Sequence, residues 1–262
     1  MLAQGEKMRI AVLLAGEMRN FDNPVILAAL SQHLFSKHAC DVFVSTWDRR
    51  GESYNQGNGS GADAKALAHR AITAETVEAT YKYIGARHVE VKMEEERVWS
   101  SGLPTHLSTF YSRGYDWRGV HYKGTSVPQF YKIADACRMK SAYEAAGGFT
   151  YDLVLRTRPD NRFRIDFPAV LKLPDNVVCA INCKEPFNTF WPHRIYDIFF
   201  YGSSAAMNVV AGGAYDEYMD NVSHPFNNGL HAEDSCRLLF VQAARHGIRV
   251  GDLNYDVVMI ER

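Results

Sequence analysis

The chain lacks the marks of a membrane or polynucleotide partner. It has no uninterrupted apolar run of about 18 residues, the least that a transmembrane helix needs. Its 29 basic and 30 acidic residues leave a net charge of −1, without the basic footprint of nucleic-acid or membrane-surface binding. Five cysteines, Cys40, Cys137, Cys179, Cys183 and Cys236, are odd in number and scattered, so free thiols in a reducing compartment are expected. Cys179 and Cys183 stand four apart, but no second Cys or His pair completes a zinc pattern. The apolar run Ile10–Ala15 is too short for the core of a secretory signal and flows into a strand-like pattern. A cytoplasmic protein is therefore expected, and a phage or virus protein working in a cytoplasm would look identical. Also missing are a P-loop and a G-x-G-x-x-G, since Gly16 alone follows the first strand. The usual ATP, NAD and SAM signatures fail, and the simplest kinase and dehydrogenase readings fall with them.

What is present reads as α/β. Hydrophobic residues make up 47% of 262, enough to bury a substantial core in one domain over residues 1–262. Met8–Ala15 reads as a central first strand ended by Gly16. Asn23-Pro24 opens a helix in which Ile26, Leu30 and Leu34 face a sheet. Asp41–Thr46 is a second strand, so the order predicts a parallel, right-handed βαβ unit. The Gly/Ser/Asn-rich segment 49–63 reads as a mobile loop. A helix is expected over Ala66–Ile84 and a weak strand over Val89–Lys92. Ser100–Gly124 is irregular and dense in aromatics, which stack on sugars or bases or anchor a loop.

A long helix is predicted from Pro128 to Ala146, with Phe130, Ile133, Ala134, Cys137 and Ala145 toward the sheet and Gly147-Gly148 as its stop. Strands follow at Leu153–Leu155, Val177–Ile181 and Tyr196–Tyr201. Then come a helix reaching about Met219, a turn-rich loop over Asn221–Gly229, a helix over His231–His246 and a closing strand at Val257–Ile260. The fold class expected is a mostly parallel central sheet flanked by helices.

The chain is organised around Tyr151–Phe163, YDLVLRTRPDNRF. Its apolar run Leu153-Val154-Leu155 suits a strand buried on both faces. Arg156, Arg158, Asp160 and Arg162 then alternate, which in an extended segment points all four to one side. Ligands in open α/β sheets sit beyond such strand ends. Guanidinium groups there suit a diphosphate, which they bind bidentately. The alternative is a network in which Asp160 neutralises its neighbours. Gly16 either lets a nucleoside approach the backbone or only turns the chain. Glu233 and Asp234, in His231-Ala232-Glu233-Asp234, suit a general base or merely compensate a helix dipole. Asp197, alone in YDIFFYG, is an edge residue facing solvent or an acid buried for a purpose.

With these residues in hand, the chain resembles the nucleotide-sugar glycosyltransferases of GT-A type. More closely it resembles bacterial and viral polysaccharide glycosyltransferase-like proteins. The matching pieces are IAVLLAGEMRNF, DVFVSTWD, PQFYKIADACRMK, YDLVLRTRPD, DIFFYGS and HAEDSCRLLF, which run in that order over nearly the whole chain. The resemblance implies a GT-A-like fold and transfer of a sugar from a nucleoside-diphosphate donor to a glycan or lipid-linked acceptor. It implies donor-binding roles for Gly16, Arg19, Trp47, Asp48, Arg156, Arg158 and Asp160, and a catalytic base among Glu233, Asp234 and Asp197. It also puts the pivot where GT-A enzymes carry D-x-D, whose acids hold Mn²⁺ or Mg²⁺. Here the triplet is Arg158-Pro159-Asp160, so Asp160 alone is left as metal ligand. Two other classes stay open: a nucleotide- or glycan-binding module without chemistry, and an α/β phosphohydrolase.

Overall fold

In the computed structural model the described residues are 7–51, 71–103, 105, 108, 115–117, 120–122, 126–164, 166–167, 173–181, 195, 197–223, 235–253 and 258–260. The first strand, β1 (Arg9–Ala15), is apolar from Ile10 onward because sheet neighbours cover both its edges and helices cover both its faces. Helix α1 (Pro24–Leu30) starts where expected, with Asn23 Oδ1 accepting from Val25 N at 2.9 Å and Pro24 in the first turn. It runs on through a π-wound turn, Ser31–Phe35, and Ile26, Leu30 and Leu34 are all buried. Strand β2 (Ala39–Trp47) pairs parallel with β1. Helix α2 (Ala74–Tyr83) follows, then β3 (His88–Glu94), parallel to β2, and the short helix α3 (Glu96–Ser101). A hairpin, β4 (Tyr115–Trp117) with β5 (Val120–Tyr122), precedes the long helix α4 (Ser126–Gly147).

The pivotal strand β6 (Leu153–Thr157) lies parallel to β1 on the side away from β2. Beyond it are β7 (Asn161–Phe163), β8 (Val177–Ile181), β9 (Phe199–Gly202), α5 (Ser204–Val210), α6 (Ala214–Ser223), α7 (Ser235–Arg245), β10 (Arg249–Leu253) and β11 (Val258–Ile260). Among the described residues the main sheet has seven strands in the order β10-β8-β9-β6-β1-β2-β3, with β9 antiparallel to its neighbours β6 and β8. One face carries Val12, Leu14, Val42, Val44, Leu153 and Leu155 toward α1 and α2; the other carries Leu13, Phe43, Val154 and Phe200 toward α4 and α5–α7. The result is an α/β layer structure with a mostly parallel sheet. No helix among the described residues is long and apolar enough to cross a membrane.

The structure corrects several expectations. Arg156, Arg158, Asp160 and Arg162 do not share one side. The strand ends at Thr157, Pro159 lies inside a turn, and Asn161 N donates to Arg158 O at 3.2 Å. A proline fixes φ and has no N–H for a ladder, so it favours that turn over extension. β7 then leaves the sheet and pairs antiparallel with β11. Asp197 is not in a strand: it sits in a turn, and β9 begins at Phe199. Helix α2 begins at Ala74, capped by Thr73 Oγ1, and residues 66–70 lie outside the described residues.

On α4, Ala145 is exposed, whereas Phe130, Ile133, Ala134 and Cys137 are buried as expected. The helix expected up to Met219 is two helices, broken at Gly212-Gly213. A Cβ at Gly213 would come within 2.1 Å of Gln242 Nε2 on α7, so the break lets that helix approach. The edge strand β10 was not anticipated. Most of segment 49–63 and of 100–124 lies outside the described residues, although the latter contains the β4–β5 hairpin.

Candidate functional site

The chain leaves β1 for β2 and β3 on one side, then returns to place β6 on the other. The crevice beyond the carboxyl ends of β1 and β6 is therefore the switch point, where backbone termini diverge and leave room for a ligand. Two segments meet there. The first is the turn after β1. Gly16 has φ 97, a left-handed value that glycine adopts without penalty. Its N donates to Ser45 O at 3.0 Å, and its carbonyl accepts from Thr46 Oγ1 at 2.8 Å. The end of β2 thus pins the turn. Arg19, three residues on, has φ 38, and its N donates to Arg50 O at 2.6 Å. A non-glycine residue in this region is strained, and such strain collects at functional positions.

The second segment is the turn after β6. Arg158 grips Asp160 with two parallel bonds, Nε to Oδ1 at 2.9 Å and Nη2 to Oδ2 at 2.7 Å. Arg19 Nη1 also donates to Asp160 Oδ2, at 3.3 Å, and Arg19 Nε donates to Glu17 Oε2 at 3.2 Å. The Asp160 carboxylate is thus nearly buried between two guanidinium groups that are themselves partly open, with side chains 19% (Arg158) and 16% (Arg19) exposed.

Beneath this pair, Arg156 is wholly buried. It donates through Nη2 to Ala15 O at 3.2 Å and through Nη1 to Thr157 O, and its Nε has no partner among the described residues. Burial pulls its guanidinium down to about 10, against Asp197 and Asp160, so it stays charged at neutral pH. Asp197 accepts from Gln129 Nε2 in the first turns of α4. Burial raises its carboxyl above the ordinary range, in opposition to Arg156 and Arg158. Asn161 donates to Thr157 Oγ1 at 3.0 Å and to Ile198 O at 2.9 Å, tying the two turns together, while its Oδ1 has no partner among the described residues.

Of the residues singled out in the sequence, Gly16, Arg19, Arg156, Arg158, Asp160 and Asp197 converge on this crevice. Arg162 points away, into a groove of about 500 Å³ shared with Pro24, His33 and Arg164. Trp47 is buried at the end of β2. Lys132 Nζ lies 3.9 Å from its ring centroid, and Tyr131 stacks on it at 6.4 Å and 19°. Lys132 in turn bonds Glu94 at 2.6 Å. Asp48 is half-buried, and its backbone bonds Glu94 and Ile72. Glu233 and Asp234 lie outside the described residues.

Sequence reasoning missed Glu17, Gln129 and the Arg19–Asp160 contact. The last spans 141 residues, and no spacing rule reaches across that separation. A polar Gln near the start of an apolar helix was the one available signal for Gln129.

A divalent ion does not fit Asp160 as it is paired. Both oxygens accept guanidinium N–H bonds, and no group of three or more His, Cys, Asp or Glu among the described residues could hold a metal ion. An oxygen-rich anionic donor set, which Mg²⁺ or Mn²⁺ requires, is replaced here by cations. No protein-family model matches the chain, and no curated protein matches it.

Proposed function

We propose that the chain is a GT-A-like glycosyltransferase that moves a sugar from a nucleoside-diphosphate donor to a glycan or lipid-linked acceptor hydroxyl. One observation carries the reading: strained Arg19 and bidentate Arg158 meet on Asp160 at the switch point between β1 and β6. Guanidinium groups fixed in advance stabilise the charge that develops on a departing diphosphate, because no reorganisation is needed during reaction. In this reading Gly16 admits the nucleoside beside the backbone, and Arg156 adds a buried positive charge below. Asp197 suits the base, since burial raises its proton affinity while Gln129 fixes one oxygen. Glu233 and Asp234 are the other candidates for that role.

The test is a thermal-shift panel of UDP-, GDP-, CMP- and dTDP-sugars, followed by transfer assays with the nucleotide that binds. A donor that binds the native state raises the melting temperature by mass action. One nucleotide should do so, and Asp160→Ala should lose turnover by at least about a hundredfold by releasing both arginines. Wild-type turnover in that variant would sink the proposal. A second reading, a binding module without chemistry, draws on the fact that both Asp160 oxygens are bonded to cations. Donor binding with neither hydrolysis nor transfer over long incubation would select it.

A further inference from the structure

We infer that Asp160 and Glu17 are holders of arginine rather than of metal, and that Arg19 and Arg158 form a metal-free clamp for a diphosphate. This rests on the site assignment above and adds how the anion is held and what competes with it.

The argument starts from the unused hydrogens. Arg158 spends Nε and Nη2 on Asp160, and Arg19 spends Nη1 on Asp160 and Nε on Glu17. Arg158 Nη1 and Arg19 Nη2 make no hydrogen bond among the described residues, and both side chains are partly open to solvent. A guanidinium is a rigid fork, so fixing two of its nitrogens also fixes where the third points. Two such forks anchored on one buried carboxylate each keep one nitrogen that no described residue occupies. Phosphate oxygens accept from nitrogens of this kind in short, charge-assisted bonds.

The backbone supplies an independent observation. Arg19 holds φ 38, a conformation that costs energy in any residue with a Cβ. A residue kept only as a structural strut would be better placed at relaxed φ. Glu17, with a side chain 37% exposed, is the more open of the two anions on Arg19. It occupies Arg19 Nε, and an incoming phosphate displaces it.

Two variants separate this from a purely structural ion network. Arg19→Gly removes one fork and relieves the strained φ, so its melting temperature should hold or rise while affinity falls. Glu17→Gln keeps both forks and removes the competing anion, so affinity should rise. The probe is inorganic pyrophosphate, titrated calorimetrically in EDTA at low ionic strength. The expected results are saturable binding by the wild type, a loss of about 10- to 100-fold in Arg19→Gly and a gain of a few-fold in Glu17→Gln.

The clamp is overturned if pyrophosphate binds only when Mn²⁺ is added, or if Arg19→Gly keeps wild-type affinity. Should Arg19→Gly melt lower, Glu17→Gln decides, and unchanged or weaker binding in it overturns the proposal. Pyrophosphate binding in EDTA without transfer from any sugar nucleotide upholds the clamp and removes the transferase. Transfer that needs Mn²⁺, with no binding in EDTA, does the reverse.

Discussion

Three guanidinium N–H bonds end on the two oxygens of Asp160, and those two cations decide what the residue can do. A carboxylate facing solvent or a metal is a ligand or a base; one held between two guanidinium groups is an anchor. Asp197 is the opposite case. It accepts from Gln129, and burial outweighs Arg156 and Arg158, so its folded-state pKa lies above the ordinary 3.8. The folded state therefore binds more protons than the unfolded one between 3.8 and the raised value, and stability falls as pH rises through that window. Above the window the penalty is constant. Asp197→Asn removes this term. Its stability relative to wild type should climb with pH across the window and then level off, as read from urea midpoints at a series of pH values. A difference that is flat with pH would show that the carboxyl is not perturbed. Neither behaviour was legible in the sequence, because each depends on which cations the fold delivers from far along the chain.

At the scale of the element, α4 does two jobs at its two ends. Its first turns carry Gln129 to the site. Its far end is stitched to the rest of the molecule by Lys140, whose Nζ donates at 2.7 Å to each of Glu144, Ser204 and Asn208. Glu144 in turn accepts from Tyr151 N at 2.8 Å, so helix, α5 and the lead-in to the pivotal strand are held together. The side chains of Lys140 and Glu144 are buried, and every bond they need is made. Lys140→Met strands the Glu144 charge and should cost about 3–5 kcal/mol of unfolding free energy, measured by denaturant titration. Adding Glu144→Gln to it should recover part of that loss. The sequence showed α4 as a helix from its apolar repeat, with Phe130, Ile133, Ala134 and Cys137 rightly turned inward. It did not show that the last buried turn is ionic, since periodicity registers apolar residues and ignores paired charges.

Across the whole molecule, the sheet separates a face toward α1 and α2 from a face toward α4–α7, and the cysteines divide between them. Cys40 lies in the first and Cys137 in the second, both buried. Burial raises both thiols, that of Cys137 to about 11, so neither is a nucleophile at neutral pH. Native alkylation with iodoacetamide, mapped by mass spectrometry, should leave Cys40 and Cys137 unmodified until denaturant is added. Labelling of either in the folded protein at the rate of a free thiol would contradict the packing. Among the described residues Cys40, Cys137 and Cys179 are free thiols.

By itself the sequence determined the layers. Runs such as Arg9–Ala15 and Leu153–Thr157, alternating with helical periods, can bury their apolar side chains only as strands under helices. It also determined where the chain turns at Gly16, Asn23-Pro24 and Gly148, because these residues act through their own backbones. The tertiary structure alone decided that β6 lies beside β1, and hence that Arg19 reaches Asp160 across 141 residues. Strand order is settled by the packing of helices on two faces, a sum over the whole molecule that no local pattern contains. The site is made of residues from both sides of that crossing, so its chemistry became visible only once the strands were in order.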